Sequence, residues 1–202
     1  LLAIGSAAVA GCIVLALGII ATPPSPSLRP HSSGDAALAR TVERTARAEG
    51  ALDRLSVGYI DLRSDDAAIT TGFGADDDTE YEIGSVTKTF TGHLFAIAID
   101  RGEVSPTETL AKVFPVLDGT PAGSATLVSL SNHTSGLPSL DEASTPRVLL
   151  DTITNSNPYR GGVNDLLEQA GRQQLSDAGT FRYSNLGMSL LGQALAERAG
   201  VE

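Results

Sequence analysis

Hydrophobic positions are spread very unevenly along the 202-residue chain. Residues 1–21, LLAIGSAAVAGCIVLALGIIA, carry no charge, and about 20 apolar residues suffice for a helix to cross a bilayer. The run predicts an uncleaved membrane anchor or a signal segment, with the rest of the chain on the extracytoplasmic side. Val9-Ala10-Gly11-Cys12 also resembles a lipoprotein processing box, but IVLALGII prolongs the apolar run where a mature lipoprotein turns polar. With no Met at position 1, the chain is expected to begin inside a longer product. The Pro/Ser-rich stretch 22–36, which opens with TPPSPSLRP, cannot continue a helix and predicts an extended linker.

The pattern then becomes periodic. In DAALARTVERTARAEG (35–50), Leu38, Val42 and Ala46 recur at helical spacing opposite a charged face, and Gly50 supplies a stop. LSVGYIDLRS (55–64) and AAITTGFG (67–74) predict two strands of a hairpin turning at Asp65-Asp66. ADDDTE (75–80) is an acidic, solvated connection. From Ser85 to Ile99 the chain is apolar or small almost throughout, with Lys88 as its certain charge, and Arg101-Gly102 ends the helix. A helix apolar nearly all round predicts burial. Residues 103–180 mix short helical patterns such as VNDLLEQAGRQQL with loops rich in Gly, Pro, Ser and Thr. A last amphipathic helix carries Leu186, Leu190, Ala194 and Leu195, with Gly200 as its C-cap. A strand pair followed by a helical region predicts an α/β (α+β) architecture with its sheet incomplete at two strands.

Composition narrows the function classes. The chain carries 24 acids against 14 Lys and Arg, a formal net charge of −10, and no basic cluster. That argues against nucleic acid and against an anionic membrane surface as partner. The single cysteine, Cys12, excludes an internal disulfide. No H-E-x-x-H and no G-x-S-x-G is present, so neither a zincin nor an α/β-hydrolase is indicated. No metal site and no cofactor is expected. His31 in the linker and His93 on the helix flank attract no chemistry.

The lone ammonium is the first chemical signal. At about 100° per residue, Ser85, Lys88, Gly92 and Ala96 fall in one stripe, whose small residues leave room for a pocket. Burying an unpaired ammonium costs several kcal/mol, and a desolvated amine beside a serine suits a base beside its nucleophile. A surface lysine with Ser85 as an N-cap explains the same letters. In FRYSNLG (181–187), Tyr183 and Asn185 lie two apart, so an extended turn points both to one side. A phenol relays protons and a carboxamide holds an amide-bearing substrate. In LVSLSNHTSGLPSL (127–140), His133-Thr134-Ser135-Gly136 predicts a tight, hydrogen-bonded turn.

IGSVTKTFTG, NHTSGLP and FRYSNLGMSLLG, in this order and at these separations, resemble the serine β-lactamase and D-alanyl-D-alanine carboxypeptidase family, nearest its class C-type branch, which includes esterases. S-x-x-K is a known signature of the related class A enzymes and penicillin-binding proteins. The resemblance spans about 50–200 and implies a β-lactamase/transpeptidase-like fold, an antiparallel sheet flanked by helices plus a mostly helical region. It implies Ser85 as the acylated nucleophile, Lys88 and Tyr183 as sharing the general-base work, and Asn185 as positioning Lys88 and the substrate amide. His133 is structural by the same resemblance. The substrate class is then a small molecule or a peptidoglycan peptide: β-lactams, D-Ala-D-Ala peptides or small esters. The family's third motif, Lys-Thr-Gly or His-x-Gly on a later strand, has no counterpart in residues 1–202. That strand would carry the second oxyanion N–H, worth roughly 100- to 1,000-fold in rate. Residues 37–202 are therefore expected to be the N-terminal part of such a domain, inactive alone. The alternatives are a non-catalytic penicillin-binding or sensor module and a structural envelope protein that keeps the motifs as relics.

Overall fold

A computed structural model describes residues 26–139 and 161–201; the predicted anchor at 1–21 lies outside them. The chain divides into two compact units, Leu1–Glu82 and Ile83–Glu202.

In the first unit, three antiparallel strands, β1 (His31–Gly34), β2 (Leu55–Tyr59) and β3 (Ile69–Phe73), lie in the order β1-β3-β2. β2 pairs with β3 from Leu55↔Phe73 to Tyr59↔Ile69. This is the predicted hairpin with shorter strands, because 60–68 forms a longer turn than Asp65-Asp66 alone. β1 corrects the expectation of a linker throughout 22–36. It joins the sheet through a bulge between His31 and Ser33, where hydroxyls replace ladder bonds. Ser32 Oγ donates to the Ala75 carbonyl at 2.6 Å and accepts from the Ala75 N–H at 3.0 Å, while Ser33 Oγ donates to the same carbonyl at 2.7 Å. Opposite the bulge, a Cβ at Gly72 would stand 2.2 Å from the Ala75 carbonyl oxygen, so glycine is required there.

Helix α1 (Ala36–Ala48) starts at Asp35, whose carboxylate accepts the Leu38 N–H at 2.7 Å. Its apolar side meets β3, with Leu28, Ala39, Ala46 and Phe73 buried and Val42, Leu52 and Leu55 packed around them. At the predicted stop, Gly50 adopts φ +68°.

The second unit is helical. A 3₁₀ turn (Gly84–Val86) leads into α2 (Thr87–Asp100); α3 (Leu110–Val113), α4 (Leu127–Ser131), α5 (Val163–Gly171) and α6 (Asn185–Ala199) follow. α6 is the hub against which α2, α3, α4 and α5 pack. It buries Leu186, Met188, Leu190, Leu191 and Ala194, which with Phe95, Ala98, Leu110, Leu127 and Leu130 form one core. A Cβ at Gly192 would come 3.9 Å from the Thr91 methyl, so the small residue marks where α2 and α6 approach. Gly200, at φ +67°, is the predicted C-cap of α6. Near this end Arg198 pairs with Glu108 and donates to the Lys112 carbonyl at 3.1 Å.

Burial of α2 is one-sided. Lys88, Thr91, Phe95 and Ala98, at i, i+3, i+7 and i+10, line the side that faces the core, and Phe95 and Ala98 are buried. Val86, Phe90 and Leu94 stay 55%, 61% and 58% exposed. A helix apolar on every side announces that it wants several neighbours, without saying which face each takes. Among the described residues no helix is long and apolar enough to cross a membrane.

Candidate active site

Ser85 sits in the 3₁₀ turn Gly84–Val86, just before α2, and is exposed. The turn is closed by backbone: the Val86 N–H donates to the Ile83 carbonyl at 3.0 Å, and the Thr87 N–H reaches the carbonyls of Gly84 and Ser85. One turn later Lys88 lies on the same side of the helix, and its ammonium donates to Ser85 Oγ at 3.2 Å. It is half-buried, so the predicted lone buried cation is instead a partly solvated one with a hydroxyl partner.

Tyr183 closes the group from 98 residues away. Its phenol oxygen is 2.8 Å from Ser85 Oγ, either atom able to donate, and the Lys88 ammonium lies 4.9 Å from its ring centroid. The nearby ammonium as a hydrogen-bond donor first, then Ser85, hold the phenol below its ordinary value against the opposing effect of burial, with the bare charge of Lys88 the least of the causes. Ser85, Lys88 and Tyr183 thus come together. Asn185 does not join them by a bond: it opens α6, half-buried, and no hydrogen bond ties its carboxamide to Lys88.

The segment carrying Tyr183 is held by the HTSG turn. His133 takes φ +60° and Gly136 φ +81°, and Asn132 Oδ1 accepts from the Thr134 N–H and hydroxyl at 3.2 and 2.6 Å. Three backbone bonds cross to the Tyr183 segment: Ser176 N–H to Gly136 at 3.0 Å, Gly179 N–H to Thr134 at 2.8 Å, and Arg182 N–H to His133 at 2.7 Å. The imidazole adds a fourth, Nδ1 accepting the Ser184 N–H at 3.2 Å. An Nδ1 that accepts leaves the proton of the neutral ring on Nε2. Burial first, and the charge of Lys88 second, push this histidine below its ordinary value and favour that neutral form. Ser184 itself is buried; its hydroxyl donates to the Pro138 carbonyl at 2.7 Å and accepts the Gly187 N–H at 2.9 Å, capping α6. The sequence marks His133 as structural. Its side-chain bond across 51 residues leaves no local signal.

No group of three or more His, Cys, Asp or Glu among the described residues is placed to hold a metal ion.

The Beta-lactamase family profile matches residues 38–202, and the chain belongs to that family. Over 125 residues it is 33% identical to a beta-lactamase of Providencia stuartii, a stretch covering 60% of this chain and 28% of that one. Over 58 residues it is 41% identical to a beta-lactamase of Escherichia coli, covering 29% and 15%. A class C beta-lactamase from Rhodobacter sphaeroides superposes with a TM-score of 0.61 at 27% identity, over 83% of this chain and 45% of that one. A beta-lactamase/D-alanine carboxypeptidase from Pseudomonas syringae shares the fold, with a TM-score of 0.65 at 22% identity over 82% and 45%. The chain spans less than half the length of each of these proteins.

Proposed function

We propose that this chain carries the acylation centre of a serine hydrolase acting on β-lactams, D-Ala-D-Ala peptides or small esters. The observation that supports it most is the triangle of Ser85 Oγ, Tyr183 Oη at 2.8 Å and Lys88 Nζ at 3.2 Å. Ser85 Oγ attacks the substrate carbonyl as its proton passes to Tyr183 Oη, whose deprotonated form the Lys88 charge favours. The same proton then passes from Tyr183 to the departing amine or alkoxide, leaving an acyl-Ser85 ester. A water activated by Tyr183 hydrolyses that ester and restores the hydroxyl. Free N–H groups at the start of α2 favour the negative charge that develops beside Ser85. Asn185, one helix start away, is proposed to hold the substrate amide directly.

The β-lactamase names of relatives at 33% and 27% identity favour the lactam. Residues 1–21, uncharged, are proposed to anchor or export the protein, which brings the site to cell-wall substrates. A fluorescent penicillin should label Ser85 covalently in the full-length protein, and Ser85→Ala should abolish the label. Labelling that survives Ser85→Ala defeats the nucleophile assignment, and labelling without turnover identifies a penicillin sensor instead.

A further inference from the structure

His133 grips the backbone on both sides of Tyr183. Its carbonyl accepts the Arg182 N–H at 2.7 Å, and its Nδ1 accepts the Ser184 N–H at 3.2 Å. Between these points its ring lies against the phenol, centroids 4.8 Å apart and tilted by 39°, and meets Phe181 edge-on at 5.8 Å. Its backbone is left-handed, φ +60°, a conformation only Asp177 shares among the described non-glycine residues. An ordinary side chain avoids that region, so the turn keeps a conformation that aims the imidazole at one N–H. Ser184 is 1% exposed, so its N–H has no water to replace the ring.

We infer that His133 is a positioning residue for Tyr183, its neutral imidazole fixing the phenol oxygen on Ser85 through the Ser184 N–H and through ring contact. The inference rests on the proposed role of Tyr183 as base. A phenol swung away from Ser85 and Lys88 loses the neighbours that acidify it, so placement and basicity change together. Protonation of His133 turns Nδ1 from acceptor into donor, facing the Ser184 N–H with another N–H. The charged and titratable groups facing the ring are Lys88 from α2 and Tyr183 from the segment before α6, while the Arg182 guanidinium is turned to Ser176.

Three forms of the full-length protein test this: native, His133→Gly and His133→Asn. Gly accepts φ +60° and has no acceptor. Asn also tolerates φ +60° and sets its Oδ1 where Nδ1 stood, but does not titrate. Two quantities are read: the ultraviolet titration of Tyr183, by difference against Tyr183→Phe, and the acylation rate by fluorescent penicillin resolved from initial binding. In His133→Gly the phenol titration should rise towards its ordinary value, and the acylation rate should fall about 10- to 100-fold with binding little changed. His133→Asn should recover most of both and should lack the part of the acid-side fall in rate that protonation of His133 is expected to cause in the native protein. The proposal is overturned if His133→Gly leaves the phenol titration native, or if His133→Asn does no better than His133→Gly. Should His133→Gly unfold, the Asn variant decides alone: an acid limb identical to the native one overturns the proposal. A native protein that is never acylated defeats the hydrolase proposal instead, and the phenol titration still decides the placement of Tyr183.

Discussion

The turn that carries Ser85 and the segment that carries Tyr183 meet at 2.8 Å, but they are secured by opposite means. Ser85 is placed locally. Backbone bonds no longer than one helical turn hold residues 83–87, no side chain caps them, and every residue from Tyr81 to Thr87 is exposed. Tyr183 is placed from a distance, by four hydrogen bonds from the 133–136 turn and by the buried cap Ser184. The hydroxyl proposed to meet substrate sits on a spacing inherent in any helix start. The group proposed to hold a proton within hydrogen-bond reach of it depends on tertiary structure, where a shift of about 1 Å can cost roughly 100-fold in rate. Damage near Ser85 should therefore remove chemistry and spare the fold, whereas damage in the HTSG turn should weaken both.

The sharpest break is at the triangle itself. Lys88→Ala removes the charge that acidifies Tyr183, and Tyr183→Phe removes only the phenol oxygen and keeps the ring against His133. Each should lower the acylation rate by about 100- to 10,000-fold, the range for a positioned general acid–base. Thermal melting should barely move, because both side chains are solvent-accessible. Near-native kcat/KM in either variant would exclude that residue from proton transfer. A large loss of stability would show instead that the triangle is part of the core.

On the distant side, Gly136→Ala is the stronger perturbation. At φ +81° a Cβ is strained by about 1–2 kcal/mol, and it would also stand 2.8 Å from the Ser176 carbonyl oxygen. The unfolding free energy measured in urea should fall by at least that strain, and the acylation rate should fall with it, since Ser176 is tied to Gly136 in the strap that reaches Tyr183. Full stability with native acylation would mean the turn does not brace the segment. Ser184→Ala is milder, removing a helix cap at about 1 kcal/mol together with the donor to Pro138. It should lower stability clearly and acylation by a few fold. A cost indistinguishable from zero in urea unfolding would mean that water replaces the hydroxyl.

The same division decides what was legible in the sequence. Ser85 and Lys88 are three apart on one helix, so their meeting follows from the helical period. Tyr183 enters through its resemblance to a family motif, because no local pattern links residues 98 positions apart. Gly50, Gly102 and Gly200 mark stops by a backbone preference that needs no context, and all three take positive φ. β1 was illegible because its residues, HSSG, show no alternation: the strand is held by backbone and by serine hydroxyls, not by an apolar face. The side of α2 that packs on α6 was illegible for the opposite reason, since Phe90, Leu94 and Phe95 are equally apolar and only the last is buried. Asn185 was assigned by resemblance to position Lys88 and the substrate amide; it opens α6 and is half-buried there.

The smallest effect expected is in pH dependence, and it isolates the imidazole. His133 is held below its ordinary value by burial and then by Lys88, so the unfolded chain, with a histidine near 6.5, binds its proton first as pH falls. Stability follows the difference in bound protons and rises with pH wherever the unfolded state holds more. The contribution of the neutral ring is therefore complete above about pH 6.5 and drains away below it, towards the lowered value of the folded form. Asp61, whose carboxyl is held below the usual range by Arg63, acts in a separate window below about pH 4. Between pH 7.5 and 5.5 the native protein should lose more thermal stability than His133→Asn, which keeps an acceptor but cannot be protonated. The difference should be modest, since the ring is only half-buried and partly screened by water. Melting curves of the two proteins that run parallel across this range would show that the Ser184 N–H does not depend on a neutral His133.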